Sequence, residues 1–207
     1  MVHGLWMIGI DMALLRHRLR QCGFRPIQFS YPTVQRNITL NAVALNRFVA
    51  RINADIDAQV VHFVGHSLGG LLIRQLLHDF PSQRPGRIVT LGTPHNGSLV
   101  AQHFNRSALG RLVLGQSLDH ALLGDMPPWD SSREIGVIAG TLSLGVGRLV
   151  PDLAKPNDGT VSVAETNLNG MTDHIGVHVS HTALLFSAQA AGQTCAFLTG
   201  GHFDHQA

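Results

Sequence analysis

The stretch VVHFVGHSLGG, residues 60–70, decides how the rest of the chain is read. A run from 60 to 64, apolar but for His62, stops abruptly at Gly65-His66-Ser67-Leu68-Gly69, and Gly70, Leu71 and Leu72 follow. An apolar run of this length bounded by a turn signal reads as a buried strand, and Leu72 and Leu76 at four-residue spacing read as a helix over 68–80. Three glycines around one serine, between strand and helix, mark a turn with no room for a Cβ at positions 65 and 69. Such a turn lifts the serine hydroxyl above the sheet. It also sets the amide of Leu68 at a helix N-terminus, aimed where negative charge develops in acyl transfer. Ser67 is therefore the candidate nucleophile. The rival reading is a glycine-rich turn carrying a solvent serine, and the strand-turn-helix setting argues against it.

The whole chain is consistent with such a site. At 207 residues, with 44% apolar and 14% charged residues, it reads as one domain, 1–207, with a sizeable buried core. A formal charge of +2 with Lys and Arg scattered along the chain implies no nucleic-acid partner. No apolar run is long enough to span a bilayer. The thirteen histidines are dispersed, which fits surface and core-edge positions rather than a metal site, and no cofactor is expected. MVHGLW begins almost inside a strand with no signal peptide ahead of it, so the first strand is expected to be cut short. No compartment beyond a cytoplasmic default is read from it. Oligomeric state is not legible.

Short apolar runs alternate with amphipathic stretches, the pattern of an α/β fold with a mostly parallel central sheet of about six strands flanked by helices. The first helix is expected from Ile8 or Asp11 to Cys22, closed by Gly23. Residues 24–31 read as an edge strand because of Pro26. A second helix covers 37–54, with Ile38, Ala42, Leu45, Phe48, Val49 and Ile52 on one face. Further strands are expected at 87–94, 134–140 and 173–179, and a last helix over 183–198. Residues 95–133, with Leu109, Leu112, Val113, Leu118, Leu122 and Leu123, form either ordinary crossover helices or a small cap that binds acyl chains.

A serine hydroxyl needs a base, and in open α/β sheets sites lie beyond the carboxyl ends of strands. His181 follows the last strand. His178 lies within that strand, His174 at its wrong end, and His202 and His205 in the C-terminal tail. His66 is expected to point away from the serine, toward packing or solvent. The carboxylate comes from Asp152, Asp158, Glu165 or Asp173; Asp158, in an Asn-Asp-Gly turn, is favoured because a tight turn holds its side chain rigidly. His3-Gly4 just after a strand turns the backbone so that the amide of Leu5 faces Ser67 as a second oxyanion donor.

VHGLW, GHSLGG, LGTPHNGS and NDGTVSV with the later VSHTALLFS together span residues 2–187, and in them the chain resembles small bacterial lipases and esterases of the α/β-hydrolase superfamily. The resemblance implies Ser67 as nucleophile, Asp158 as acid, His181 as base, and the amides of Leu5 and Leu68 as the oxyanion hole. His95, in the third stretch, receives no chemical role. Larger lipases of this kind bind calcium through an aspartate two residues past the catalytic histidine; here that position is Ala183, and calcium is not carried over. Trp6 and Met7 beside the site, with the apolar residues of 95–133, point to an ester or lipid substrate with an apolar acyl chain. The same triad serves thioesterases, amidases and acyltransferases, and the fold also serves non-catalytic binding modules. A third alternative is a partly unfolded product whose motifs never assemble. Cys22 and Cys195 fall on the first and last helices, which pack on one sheet face; they are expected to approach one another as free thiols.

Overall fold

Residues 1–118, 121–130, 132–150 and 152–206 are described in a computed structural model. The Leu118 side chain lies outside the described residues, as do positions 119, 120 and 131 of the 95–133 segment. Four strands, β1 (Phe63–His66), β2 (Ile88–Leu91), β3 (Ile135–Gly140) and β4 (Asp173–Val177), pair in parallel in chain order. Parallel neighbours require crossovers, and helices supply them. They are α1 (Ala13–Gln21), α2 (Ile38–Asp55), α3 (Leu68–Asp79), α4 (Leu99–Asn105), α5 (Ala108–Leu114), α6 (Val163–Thr166) and α7 (Ala188–Gly200).

Period-two alternation along the strands divides the core. Phe63, Ile88 and Ile135 face α2 and α3, where Ala42, Leu45, Leu72 and Leu76 are buried. Val64, Val89, Leu91 and Ile138 face α1 and α7, against Leu15, Leu19, Ala191 and Phe197. Helix starts follow local chemistry: the side chains of Asn37, Ser98, Ser107, Ser162 and Ser187 each accept an amide of their own first turn. Ser187 explains why the last helix is divided. Residues Thr182–Leu185 form a single 3-10 turn, and α7 starts afresh beyond the serine cap.

Two expectations are corrected. Among the described residues the sheet has four strands rather than about six, and residues 24–31 form no strand. Only Phe29 pairs there, through a one-residue bridge to Val2, which bridges Gly65 on its other side. A ladder extends only as far as its partner, and Pro26 offers no N–H to extend it. Met1 and Val2 are nonetheless fully engaged: the Met1 ammonium donates to the Ile27 carbonyl at 2.7 Å, the Val2 amide to Val64 at 2.9 Å, and the His66 amide to Val2 at 3.0 Å. A cavity of about 220 Å³, lined by Leu19, Phe24, Phe29, Phe48, Val61 and Leu198 among others, lies at this amino-terminal end of the strands, away from Ser67.

The cysteines are a third correction. Cys22 and Cys195 are joined in a disulfide with their Cα atoms 6.2 Å apart. The packing of the first and last helices on one face was anticipated. The bond follows because Cys22 ends α1 as its C-cap and Cys195 lies within the neighbouring α7, at a separation a disulfide spans without moving backbone. It closes a loop of 173 residues, and in the chain-entropy model such a closure removes about 5 kcal/mol of unfolded-state freedom. Reduction is therefore expected to lower the melting temperature by roughly 10–20 °C. Thermal melts with and without reductant, beside a Cys22→Ser/Cys195→Ser variant, check this. Two titratable thiols in denaturant without reductant, or an unchanged melt, would contradict it.

Candidate active site

β1 ends at His66, and Ser67 turns the chain at φ 53° and ψ −124° before α3 begins at Leu68. A non-glycine residue held there costs about 1–3 kcal/mol, a cost that persists only where the surroundings enforce it. Three backbone bonds enforce it: the Ser67 amide donates to Leu91 at 2.9 Å, and its carbonyl accepts from the Gly70 amide at 3.0 Å and the Thr93 hydroxyl at 2.9 Å. The glycines leave the space. A Cβ on Gly65 would lie 2.7 Å from the Gly70 Cα, and one on Gly69 would strike the carbonyl oxygens of Val2 and His3. The Ser67 side chain makes no capping bond to its own helix.

Asp158 is buried in the turn after α5 and β3. Its Oδ1 accepts from the amides of Thr160 at 2.9 Å and Val161 at 2.7 Å, while Oδ2 faces His181 Nδ1 at 2.7 Å. A carboxylate is an acceptor, so Nδ1 carries the proton and Nε2 keeps a free lone pair. The His181 amide also donates to the Asp158 carbonyl at 2.9 Å. Glycines again make the room. Gly92, immediately after β2 at φ +57°, would carry a Cβ 3.0 Å from His181 Nδ1 and 3.1 Å from Asp158 Oδ2. The histidine–carboxylate pair therefore lies over Gly92, one residue beyond the Leu91 carbonyl that holds the Ser67 amide.

The His3-Gly4 turn closes the other side. A Cβ on Gly4 would stand 3.1 Å from the Ser67 Cβ, so this backbone lies directly against the serine. Its form is fixed by a buried pair: Tyr31 hydroxyl donates to the His3 carbonyl at 2.9 Å, the Tyr31 amide to His3 Nε2 at 3.3 Å, and the rings stack at 4.6 Å. His3 Nδ1 then donates to the Gly4 carbonyl at 3.0 Å. Among the described residues the amides of Leu5 and Leu68 have no hydrogen-bond acceptor. Trp6, at φ 59° and 57% exposed, donates from its indole to the Val113 carbonyl of α5 at 3.1 Å. Met7 is half-buried and packs on the side of Met12 and Leu15.

The remaining sequence candidates have other partners. Glu165 caps α6, accepting from the Ser162 amide and hydroxyl at 2.6 and 2.8 Å and from the Leu99 amide at 2.6 Å. Asp173, at the amino end of β4, pairs with His205 at 2.9 Å, and Asp152 is exposed. His178 is exposed and reaches the Thr141 hydroxyl. His95 is buried between Thr90 and Arg74, whose guanidinium donates to the His95 and Pro127 carbonyls at 3.0 and 2.7 Å. His66 is packed in the interior, one of the two places expected for it, but with a partner the sequence does not indicate: its Nε2 lies 3.1 Å from the His181 carbonyl. Nothing in a linear reading of the turn signals this, because the partner is 115 residues away. Among the described residues no three His, Cys, Asp or Glu side chains converge as metal ligands.

No protein-family model and no curated protein matches the chain. Solved structures do. The lipase BlEst2 of Bacillus licheniformis in its mature form is similar with a TM-score of 0.79 at 18% identity, over 96% of this chain and 89% of that one. The phospholipase PlaB of Legionella pneumophila is similar with a TM-score of 0.56 at 22% identity over 80% of this chain, which spans 44% of PlaB. An extracellular α/β-hydrolase of a Paenibacillus species gives a TM-score of 0.55 at 14% identity, over 95% of this chain and 96% of that one. The chain has the α/β-hydrolase fold.

Burial holds several imidazoles neutral. Burial, with the neighbouring His181 second, lowers the His66 pKa to about 3; burial and then Arg74 push His95 well below its usual value; and burial lowers His3. In the unfolded chain these groups regain a pKa near the usual ~6.5. Between that value and their folded values the unfolded state binds more protons, so stability rises with pH and is lost as pH falls below about 6.5. Each such histidine contributes a slope of up to about 1.4 kcal/mol per pH unit. Melting temperatures measured from pH 8 to pH 4 are expected to fall steeply below pH 6.5. A flat profile down to pH 5 would contradict the buried neutral assignment.

Proposed function

We propose that the protein is a serine hydrolase that cleaves carboxylic esters with Ser67 as nucleophile, His181 as base and Asp158 as its orienting acid. The observation that carries this reading is the strained Ser67 turn, whose amide is held by the Leu91 carbonyl, one residue before the Gly92 over which the His181–Asp158 pair lies. Ser67 Oγ attacks the ester carbonyl carbon while His181 Nε2 takes the hydroxyl proton, and Asp158 holds the imidazole and stabilises its charge. The tetrahedral oxyanion is met by the amides of Leu5 and Leu68. Collapse expels the alcohol, which leaves with the proton from Nε2. Water activated by the same nitrogen then hydrolyses the acyl-enzyme, releases the acid and restores Ser67.

Apolar surface around the site supports an ester or lipid with an apolar acyl chain. Trp6 is joined to α5, where Leu109 and Leu112 are 70% and 78% exposed, and this part of the 95–133 segment acts as the acyl-side wall. Met7 is assigned to the opposite side of the acyl site, half-buried against the cluster that holds Met12 and Leu15. The names of two structural neighbours, a lipase and a phospholipase, agree with this substrate class.

Hydrolysis of p-nitrophenyl esters from acetate to palmitate tests the reading. Ser67→Ala, checked for folding by circular dichroism, is expected to lose at least about 10⁴-fold in kcat, and Asp158→Asn roughly 10³–10⁴-fold. A folded wild type that cleaves none of these esters would overturn ester hydrolysis. It would turn attention to thioesters, amides, acyl transfer or a binding role.

A further inference from the structure

His66 is fully buried beside the serine, and its ring touches both halves of the site. On one side Nε2 lies 3.1 Å from the main-chain carbonyl of His181, with the two imidazole centroids 4.8 Å apart at 47°. On the other side Nδ1 faces the His3-Gly4 turn, where a Cβ on Gly4 would stand 2.9 Å away. A carbonyl only accepts, so Nε2 carries the ring's proton and Nδ1 is a bare lone pair. That Nδ1 has no partner among the described residues. Burial keeps the ring neutral, so it places no positive charge beside an imidazolium forming on His181.

We propose that His66 is a positioning residue. Its Nε2–H fixes the main chain of the base, while its ring spaces the base loop from the Gly4 backbone that carries the oxyanion turn. This deepens the triad reading above and rests on it. His181 is then held at three points: its amide on the Asp158 carbonyl, its Nδ1 on the Asp158 carboxylate, and its carbonyl on His66. Loss of the third frees the carbonyl end of the residue to rotate, which moves Nε2 relative to Ser67. A side chain that only filled space would be replaced by any apolar group of similar size. A positioning donor would be replaced only by another donor of the same reach.

Three substitutions separate these roles. In His66→Gln the side-chain amide nitrogen overlays Nε2 and reaches the His181 carbonyl. In His66→Asn it is too short to do so, and His66→Leu has no donor. With p-nitrophenyl butyrate, the Leu and Asn variants are expected to lose about 10–100-fold in kcat with KM changed less than about two-fold, and Gln to remain within about three-fold of wild type. Proton NMR gives a second readout that needs no substrate. The low-field signal of the His181 Nδ1 proton shared with Asp158 is expected to be sharp in wild type and Gln, and broadened or lost in Leu and Asn. Should wild type cleave no ester, the functional reading fails while this signal still decides the role of His66. If either Leu or Asn fails to melt cooperatively, the other is compared with Gln. Retention of kcat and signal in Leu or Asn, equal loss in Gln, or unfolding of both Leu and Asn while Gln folds would overturn the proposal.

Discussion

Residue 67 is held in a backbone conformation that serine rarely adopts, and the arrangement of the site follows from how it is held there. The bond from its amide to Leu91 joins the turn to β2, and the bonds from Gly70 and Thr93 to its carbonyl join it to α3 and to the segment after β2. With those elements in place, Gly69 brings the start of α3 against the carbonyls of Val2 and His3, so the His3-Gly4 turn is packed on the helix that begins at Leu68. Gly92 then leaves a floor on which His181 and Asp158 rest. Each of these approaches is closer than a Cβ permits. The glycines thus convert strand and helix packing into the placement of a hydroxyl, an imidazole and two amides.

Much of this was visible in the sequence, for physical reasons that can be named. The apolar run at 60–64 and the leucines after Gly70 have the periods of a strand and a helix, and the observed β1 and α3 follow them. Asp158 was legible because an Asn-Asp-Gly turn folds by local hydrogen bonds, as the Gly159 and Thr160 amides show. His181 was legible from topology, since it falls in the loop between the last expected strand and the last helix, at the carboxyl end. Long-range outcomes were not. The strand expected at 24–31 depended on a partner that extends only through Val2. The destination of His66 depended on a carbonyl 115 residues away, and the pairing of Cys22 with Cys195 on a contact across 173 residues.

The histidines illustrate the same division. Counted along the chain they read as dispersed surface and core-edge residues; His3, His66 and His95 are buried, and each is bonded to the backbone or side chain of a distant segment. A neutral imidazole offers one donor and one acceptor on a rigid ring, which suits bracing loops that present main-chain groups rather than charges. His3 with Tyr31 braces the His3-Gly4 turn, and His95 with Arg74 braces the loop after β2. The same choice makes the fold sensitive to acid, because each ring gains a proton on unfolding.

The role proposed for Ser67 requires that its setting activates the hydroxyl. The most direct measurement is labelling with a fluorophosphonate, in which the serine oxygen bonds to phosphorus and fluoride leaves, followed by mass mapping of the modified peptide. The account predicts one adduct, on Ser67, formed rapidly in the folded protein and lost in a folded His181→Ala variant. No adduct on the folded wild type, or an adduct on another residue, would contradict it.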